Sequence, residues 1–384
     1  MLPLDGVKVV EIASNIAGPY AGLILASLGA DVLKVERPEG DDARGWGPPF
    51  IDGTAAIFHT VNLNKRSITL DLKAPAQLAW LKGYIADCDV LVQNMRGGAM
   101  EALGLGSTAM LELNPRLVYG SAGAFGAKGP MRLAAGYEPI VQAFAGIFSV
   151  NGEADRPGVR VGVSLLDLGT GMWTALGCIA GLLQRERTGK GVVVDASLFE
   201  TALGWLAGHF AGFRVSGQLP ERNPSGSNRV VVFQAFDAAD GQVIIAAAND
   251  RLFAKLVAEL GHAEWGGDAR FRTNRDRAAN KGTLIPLIAA IIKARPRAHW
   301  VERLDAVGVP CAPINDLRQV AALPQTAALG VMQTTPDVGI EFVGLPVSFN
   351  GERPPLRARA PRLGEHNDAV KGSTRTQARA AAGD

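Results

Sequence analysis

One carboxylate, Asp167, stands by itself in the apolar run at residues 161–183. Withdrawing an unpaired carboxylate from water costs several kcal/mol, so a chain that places one among Leu, Val and Gly side chains has a use for it. The small neighbours Gly169, Thr170 and Gly171 leave room for a reacting group to come close. Together these features describe a reactive acid in a pocket. A second use for the same residue is as a helix N-cap, accepting a hydrogen bond from the backbone N–H of Gly169 or Thr170. The two uses are compatible, because a helix N-terminus both holds a carboxylate and favours its charge. Another acid, Glu138, precedes an apolar run in Gly136-Tyr-Glu-Pro-Ile-Val-Gln142, where an acid suits the first turn of a helix.

Cations are the next group able to act. Lys65 and Arg66 precede a strand pattern with Lys73 shortly after it, and Arg37, Arg44 and Arg96 follow strand patterns. The ends of parallel strands bind ligands, and several cations converging there would suit phosphate; a single Lys-Arg pair reads equally as a solvated loop. Other motifs fail in part. The first strand–turn–helix carries only Gly18 where a dinucleotide site needs three glycines, which leaves NAD as a weak alternative. Val118-Tyr-Gly-Ser-Ala-Gly123 has Tyr119 at the first glycine of a hydrolase elbow, so Ser121 reads as a loop serine. The five histidines have no metal-ligand spacing, and no metal is expected.

Elements to position these residues are visible as patterns. Strand patterns occur at 7–12, 31–36, 66–71, 89–93, 117–120 and 191–194, and helix patterns at 19–28, 74–87 and 168–187, with another starting at Ser197. Gly29 closes the first helix. Alternation of this kind predicts a parallel sheet covered on both faces. Residues 214–229 are polar and rich in Pro and Gly, which reads as a linker. Beyond it lie strands at 230–236 and 242–247 around Asp240-Gly241, helices at 250–260, 283–293 and 297–307, and one further strand at 340–343. This divides the chain into a large α/β domain (1–213 with 326–384) and a small α+β domain (230–325), with the last ten residues a frayed tail.

With 384 residues, 47% of them hydrophobic, the chain can bury large cores, and a net charge of +2 without a basic stretch excludes a bulk nucleic-acid partner. Three cysteines, Cys88, Cys178 and Cys311, lie far apart and suit a reducing cytoplasm. The opening residues run straight into a strand pattern, which reads as no secretory leader. The glycines and central acid of residues 161–183 describe a buried helix of a soluble protein rather than a membrane span.

The segments taken in order resemble the class III CoA-transferases, the family of formyl-CoA:oxalate and carnitine CoA-transferases. The likeness lies in Leu4-Asp-Gly-Val-Lys-Val-Val-Glu, in Ala17-Gly-Pro19 followed by Leu28-Gly-Ala-Asp-Val-Leu-Lys-Val-Glu-Arg-Pro38, and in Asn62-Leu-Asn-Lys-Arg-Ser-Ile-Thr-Leu-Asp-Leu-Lys73. It continues through Asp89-Val-Leu-Val-Gln-Asn-Met-Arg-Gly-Gly98, Asn114-Pro-Arg-Leu-Val-Tyr-Gly120, Gly136-Tyr-Glu138 and Gly308-Val-Pro-Cys-Ala-Pro-Ile-Asn-Asp316, and so covers nearly the whole chain.

The resemblance implies a Rossmann-like parallel-sheet α/β domain, a smaller α+β domain and an interlocked homodimer. It implies that Asp167 is a nucleophile that forms an acyl anhydride and then an aspartyl-CoA thioester, passing CoA from an acyl-CoA to a small carboxylic acid. Tyr137 and nearby N–H groups would hold the oxyanion, and Glu138 would orient the pocket. Arg37, Leu70, Lys73, Asn94, Met95 and Arg96 would contact CoA, a substrate rather than a tightly bound cofactor. Ile16 would lie near the thioester, where formyl-CoA transferases carry glutamine. Of the mobile glycine-rich loop of those enzymes only Gly226 is present. Related α-methylacyl-CoA racemases carry a His-Asp pair where this chain has Tyr137-Glu138; without the imidazole, abstraction of a proton α to the thioester loses its most suitable base, which disfavours a racemase and leaves an acyl-CoA isomerase as the second reading and a non-catalytic CoA-binding subunit as the third.

Overall fold

The structure is a computed structural model and describes residues 1–372; the expected frayed tail lies outside the described residues. Six strands, β1 (Lys8–Ile12), β2 (Asp31–Glu36), β3 (Arg66–Thr69), β4 (Val90–Gln93), β5 (Val118–Gly123) and β6 (Val192–Ser197), form one parallel sheet in the order β3-β2-β1-β4-β5-β6. The helices that shape the site are α1 (Ala17–Ser27), α2 (Pro75–Ala86), α3 (Glu138–Phe144), α4 (Leu165–Thr188) and α5 (Leu198–Trp205).

Runs of Val, Ile and Leu make these strands because both sheet faces are covered. Val10, Ile12, Leu33 and Leu91 pack on one face with Leu81 and Ile85 of α2. On the other, Val9, Val32, Val90 and Val92 pack with Ala21 and Leu25 of α1 and Ala175, Cys178 and Leu182 of α4. The chain steps from β1 to β2 to β3 on one side, then returns to β4 on the other. At that reversal the loops after β1 and β4 part and leave a crevice beyond the strand ends.

Under the crevice lies a buried charge cluster that no sequence pattern announced. Lys34 Nζ sits 3.1 Å from Glu11 Oε1 and 2.9 Å from Asp41 Oδ2, and Lys65 Nζ sits 2.7 Å from Glu11 Oε2. Asp41 Oδ1 accepts hydrogen bonds from the Asn15 and Ala43 N–H groups at 2.9 and 3.0 Å. The cluster therefore holds the loop after β1. Burial above all depresses the Lys65 ammonium, to about 8.

Helix α4 is 24 residues and, among the described residues, the one helix long and apolar enough to cross a membrane; half of that stretch is buried against the rest of the protein. Its glycines serve packing. A Cβ on Gly171 would lie 2.7 Å from Ala17 O, and one on Gly177 would lie 2.3 Å from a Val194 methyl. At the outer edge of the sheet, β3 is covered by the returning C-terminal segment: the Ser67 N–H reaches His366 Nδ1 at 3.2 Å and the Thr69 N–H reaches Asn367 Oδ1 at 3.0 Å. Covering an edge strand removes a site for unwanted strand pairing.

The described chain divides into two compact units, and the sheet, its helices and the segment from Gln325 onward form the first. The second unit comprises Phe148–Arg160 and Gly212–Pro324. It contains a three-stranded antiparallel sheet, Cys311–Pro313 beside Gly241–Ala246 beside Phe233–Ala238, and helices Asp250–Glu259, Lys281–Ile292 and Arg297–Ala306. The Asp240-Gly241 turn joins two strands as expected. Arg277 is fully buried here, donating from Nε to Val231 O at 2.6 Å and from Nη2 to Asp250 Oδ1 at 2.7 Å.

Candidate active site

Two cavities open on the crevice. The larger, about 660 Å³, is lined by Ser14 and Asn15 after β1, by Asn94, Met95 and Arg96 after β4, and by Tyr137, Glu138 and Asp167. The smaller, about 560 Å³, is lined by Arg37, Leu70, Lys73 and their neighbours. Ser14, Asp42 and Met95 line both, so the two are neighbours along one wall. Such volumes suit a ligand of cofactor size.

Asp167 stands in the first turn of α4 rather than at its N-cap, which is Ser164 at φ −73°, ψ 63°. The helix begins earlier than the 168–187 pattern indicates because Leu166 continues its buried stripe. Capping is supplied from another element: the Leu166 N–H donates to Glu138 Oε1 at 3.3 Å. Glu138 opens α3 and is buried, and the same oxygen accepts from Gln142 Nε2 at 2.6 Å. Gln142 in turn holds the segment entering α4, accepting from the Val161 N–H at 3.0 Å and donating to Val161 O at 3.3 Å. Two residues of α3 thereby set where α4 starts and where Asp167 points its partial exposure.

A further correction concerns the small residues beside Asp167. A Cβ on Gly169 would meet a Thr201 methyl at 2.7 Å and the Trp205 ring at 3.0 Å, and Thr170 Oγ1 lies 2.9 Å from Thr201 Oγ1. Gly169, Thr170 and Gly171 admit α5 and α1, not a reactant. Asp167 itself is half-buried at the cavity wall rather than sealed among apolar side chains.

Tyr137 is the N-cap residue of α3 and largely exposed at the larger cavity. Asn94 clamps the loop after β1, accepting from the Ser14 N–H at 2.9 Å and donating to Ser14 O at 2.7 Å. Arg96 donates from Nε to Leu133 O at 3.3 Å. Arg37 bonds Gly40 O at 2.8 Å and pairs with Asp42, while Lys73 is exposed. Ile16 is buried at the N-cap of α1; its neighbours Asn15 and Ala17 line the larger cavity.

The other cations do not converge there. Lys65 is buried against Glu11, Arg44 pairs with Glu36 at 2.7 Å, and Arg66 pairs with Asp31 at 2.5 Å where β3 begins, the opposite end from the crevice. Ser121 belongs to β5 rather than to a loop, and the Tyr119 side chain turns into the core, its hydroxyl donating to Leu105 O at 3.1 Å. Cys88 and Cys178 are buried thiols pushed up to about 12 by burial. Gln93, Ser121 and Asp195 also line the larger cavity. Sequence patterns miss them because the register that aligns neighbouring strands is not written in any one strand.

A half-buried acid in the first turn of a helix, beside a crevice at the strand-order reversal, defines an α/β protein built to act on a bound ligand. The profile of CoA-transferase family III matches residues 4–367. The chain is 36% identical to acetyl-CoA:oxalate CoA-transferase of Acetobacter aceti, over 96% of this chain and 95% of that one. It is 35% identical to succinyl-CoA:glutarate CoA-transferase of Mus musculus, over 95% of this chain and 85% of that one. The crystal structure of a CAIB/BAIF family protein from Brucella suis superposes with a TM-score of 0.87 at 38% identity, over 97% of this chain and 99% of that one. The chain belongs to CoA-transferase family III and is a class III CoA-transferase.

Proposed function

We propose that the protein moves CoA from an acyl-CoA donor to a short carboxylic acid with Asp167 as the covalent nucleophile. The observation that carries this reading is the placement of Asp167 in the first turn of α4, facing the larger cavity. A carboxylate there is favoured in its charged form by the helix N-terminus, by about 0.3–1 kcal/mol at an exposed site. Oxalate and glutarate, in the names of the two relatives, are dicarboxylates, which supports a short dicarboxylate acceptor.

Four exchanges close the cycle. The Asp167 carboxylate attacks the thioester carbonyl, the C–S bond breaks, and an acyl–aspartyl anhydride and CoA thiolate result. The thiolate attacks the aspartyl carbonyl and expels the donor's carboxylate, leaving an aspartyl-CoA thioester. The acceptor carboxylate attacks that thioester, giving a second anhydride and thiolate. The thiolate attacks the acceptor's acyl carbonyl, producing the new acyl-CoA and restoring Asp167. Covalent catalysis divides one difficult exchange into easier ones, provided that water is kept from both activated intermediates. Tyr137 and nearby N–H groups stabilise the oxyanion, and Glu138 keeps Asp167 in place through the start of α4.

Acyl-CoA extends along the wall that the two cavities share, with Arg37, Lys73 and Arg96 toward phosphate and Leu70, Asn94 and Met95 along the chain. Ile16 shapes the thioester end from behind Asn15 and Ala17. The working form is a homodimer, supported by the apolar side chains that α4 exposes, Met172, Trp173, Leu176 and Leu183, each 46–64% accessible. A reducing, cytoplasmic setting is supported by the unpaired cysteines.

Incubation with acetyl-CoA, trapping with hydroxylamine or borohydride and peptide mass spectrometry test the reading. A modification on Asp167, lost in Asp167→Ala, is expected. Exchange of the α-proton of the acyl-CoA with solvent, without an adduct, would replace transferase by isomerase. CoA binding with neither adduct nor exchange would leave a binding subunit.

A further inference from the structure

Five carboxylates, Asp167 among them, line the larger cavity against two cations, Arg96 and Arg132, among the described residues. A dianion entering that cavity finds side-chain countercharge at these two guanidiniums. Arg96 is already tied by its Nε to Leu133 O at 3.3 Å and faces CoA in the transferase reading. Arg132 has no part in the transfer steps. It lines the larger cavity and not the smaller one, where Arg37 and Lys73 stand.

The backbone at Arg132 is fixed, whereas its side chain is not. Arg132 O packs against Gly97, where an added Cβ would lie 2.4 Å from it. The Arg132 N–H reaches Gly129 O at 3.4 Å and the Ala134 N–H reaches Met131 O at 2.9 Å, which closes a turn. With Arg96 bonded to Leu133 O, this turn is docked on the loop after β4. The Arg132 side chain is exposed and makes no ion pair or hydrogen bond among the described residues. Arg37, Arg44 and Arg66, by contrast, each hold a carboxylate. From Arg132 to Glu138 every residue lies on the cavity wall, and Glu138 accepts from the Leu166 N–H where the helix of Asp167 begins. One continuous wall joins the unpaired guanidinium to the acid that the transferase reading makes reactive.

We propose that Arg132 selects the acceptor: its guanidinium pairs with the carboxylate of a short dicarboxylic acid that does not react, while the other carboxylate attacks the aspartyl-CoA thioester. The proposal rests on the transferase reading. A guanidinium offers a carboxylate two parallel N–H groups, and the methyl end of a monocarboxylic acid cannot accept them. No bond is made or broken at Arg132. An acetyl group carries no second carboxylate, so formation of the Asp167 adduct from acetyl-CoA does not depend on Arg132.

The test uses acetyl-CoA as donor and compares succinate and glutarate with butanoate and pentanoate, acids of the same lengths with one carboxylate. Wild-type protein should prefer the dicarboxylates. Losing a charge-assisted pair in Arg132→Ala raises their KM about tenfold to a hundredfold and leaves the monocarboxylates unchanged. The rate of Asp167 adduct formation and the KM for acetyl-CoA stay at wild-type values, which also reports an intact fold. Arg132→Lys keeps the charge without the fork and falls between the two. An unchanged dicarboxylate KM in Arg132→Ala overturns the proposal, as does a wild-type protein that uses the monocarboxylates equally well. A KM for acetyl-CoA that rises in step would assign the guanidinium to a CoA phosphate and overturn it too. An Asp167 adduct with no transfer to either dicarboxylate overturns the proposal and leaves the transferase reading standing. Wild-type protein that forms no adduct removes both.

Discussion

Replacing Lys34 by methionine removes one charge from the cluster beneath the crevice while keeping most of the stem's volume. The side chain is fully buried, and its ammonium meets Glu11 Oε1 at 3.1 Å, Asp41 Oδ2 at 2.9 Å and Ala13 O at 2.7 Å. Glu11 and Asp41 are balanced by Lys34 and Lys65, so the variant leaves two buried carboxylates with one ammonium. Breaking a buried pair on one side costs about 3–5 kcal/mol, against about 5–15 kcal/mol for a whole domain. That is a change of about a hundredfold or more in the opening equilibrium. Hydrogen exchange read by mass spectrometry is the suitable assay, because the two units of this chain need not unfold together. Peptides covering β1 and β2 should exchange faster by that factor, while peptides from Phe233–Ala238 and Gly241–Ala246 keep their wild-type rates. Adding Asp41→Asn should recover more than half of the loss, since an asparagine oxygen still accepts from the Asn15 and Ala43 N–H groups. A loss under about 1 kcal/mol in the single variant, or no recovery in the double, would refute the view of the cluster as a balanced buried network.

Glu138 offers a test of positioning at the site itself. Because one oxygen serves both the Leu166 N–H and the Gln142 amide, Glu138→Gln should cost about tenfold or less in the rate of Asp167 adduct formation, whereas Glu138→Ala, with each donor orphaned at about 1–3 kcal/mol, should cost about a hundredfold with little change in KM. Equal losses in the two variants would assign the effect to charge instead. Stability should fall in two stages on acidification. Burial first of all lowers His59 and His366 from 6.5, so below that pH the unfolded chain binds the extra protons and stability is lost as pH falls. Burial pushes Glu36 and Asp41 up, but the Arg44 hydrogen bond and Lys34 charge on Glu36, and the Lys34 charge and Asn15 N–H on Asp41, outweigh it. Their contribution is whole above 4.5 and 3.8 and disappears as pH falls through the lower folded values. Thermal midpoints that stay level between pH 7 and 5.5 would contradict the first stage, and level midpoints below 4.5 the second.

Much of the architecture was legible because it rests on local chemistry. β-branched runs, Gly29 at φ +114° after α1 and the Asp240-Gly241 turn each act within a few residues, and each lies where the pattern placed it. The weaker strands were less legible: Met332–Thr335 and Cys311–Pro313 are short and without clear alternation, so pairing with a partner rather than their own sequence makes them strands. The strand expected from residue 230 begins at Phe233.

At the site, Asp167 was legible as an acid in an apolar helix, and the ordered family segments named the chemistry around it. What surrounds Asp167 was not legible, since contacts between distant residues are not encoded at either partner alone. The tertiary structure made Glu138 the cap of α4 and filled the space at Gly169 and Gly171 with α5 and α1. It buried Lys65 under the crevice and aligned Gln93, Ser121 and Asp195 through strand register. The sequence by itself determined which groups could react and which elements would carry them, because propensity and periodicity act over one or two turns. Only the tertiary structure decided which cations reach the cavities and which serve the core, because burial, and the partner that makes burial tolerable, are set by packing across the whole sheet.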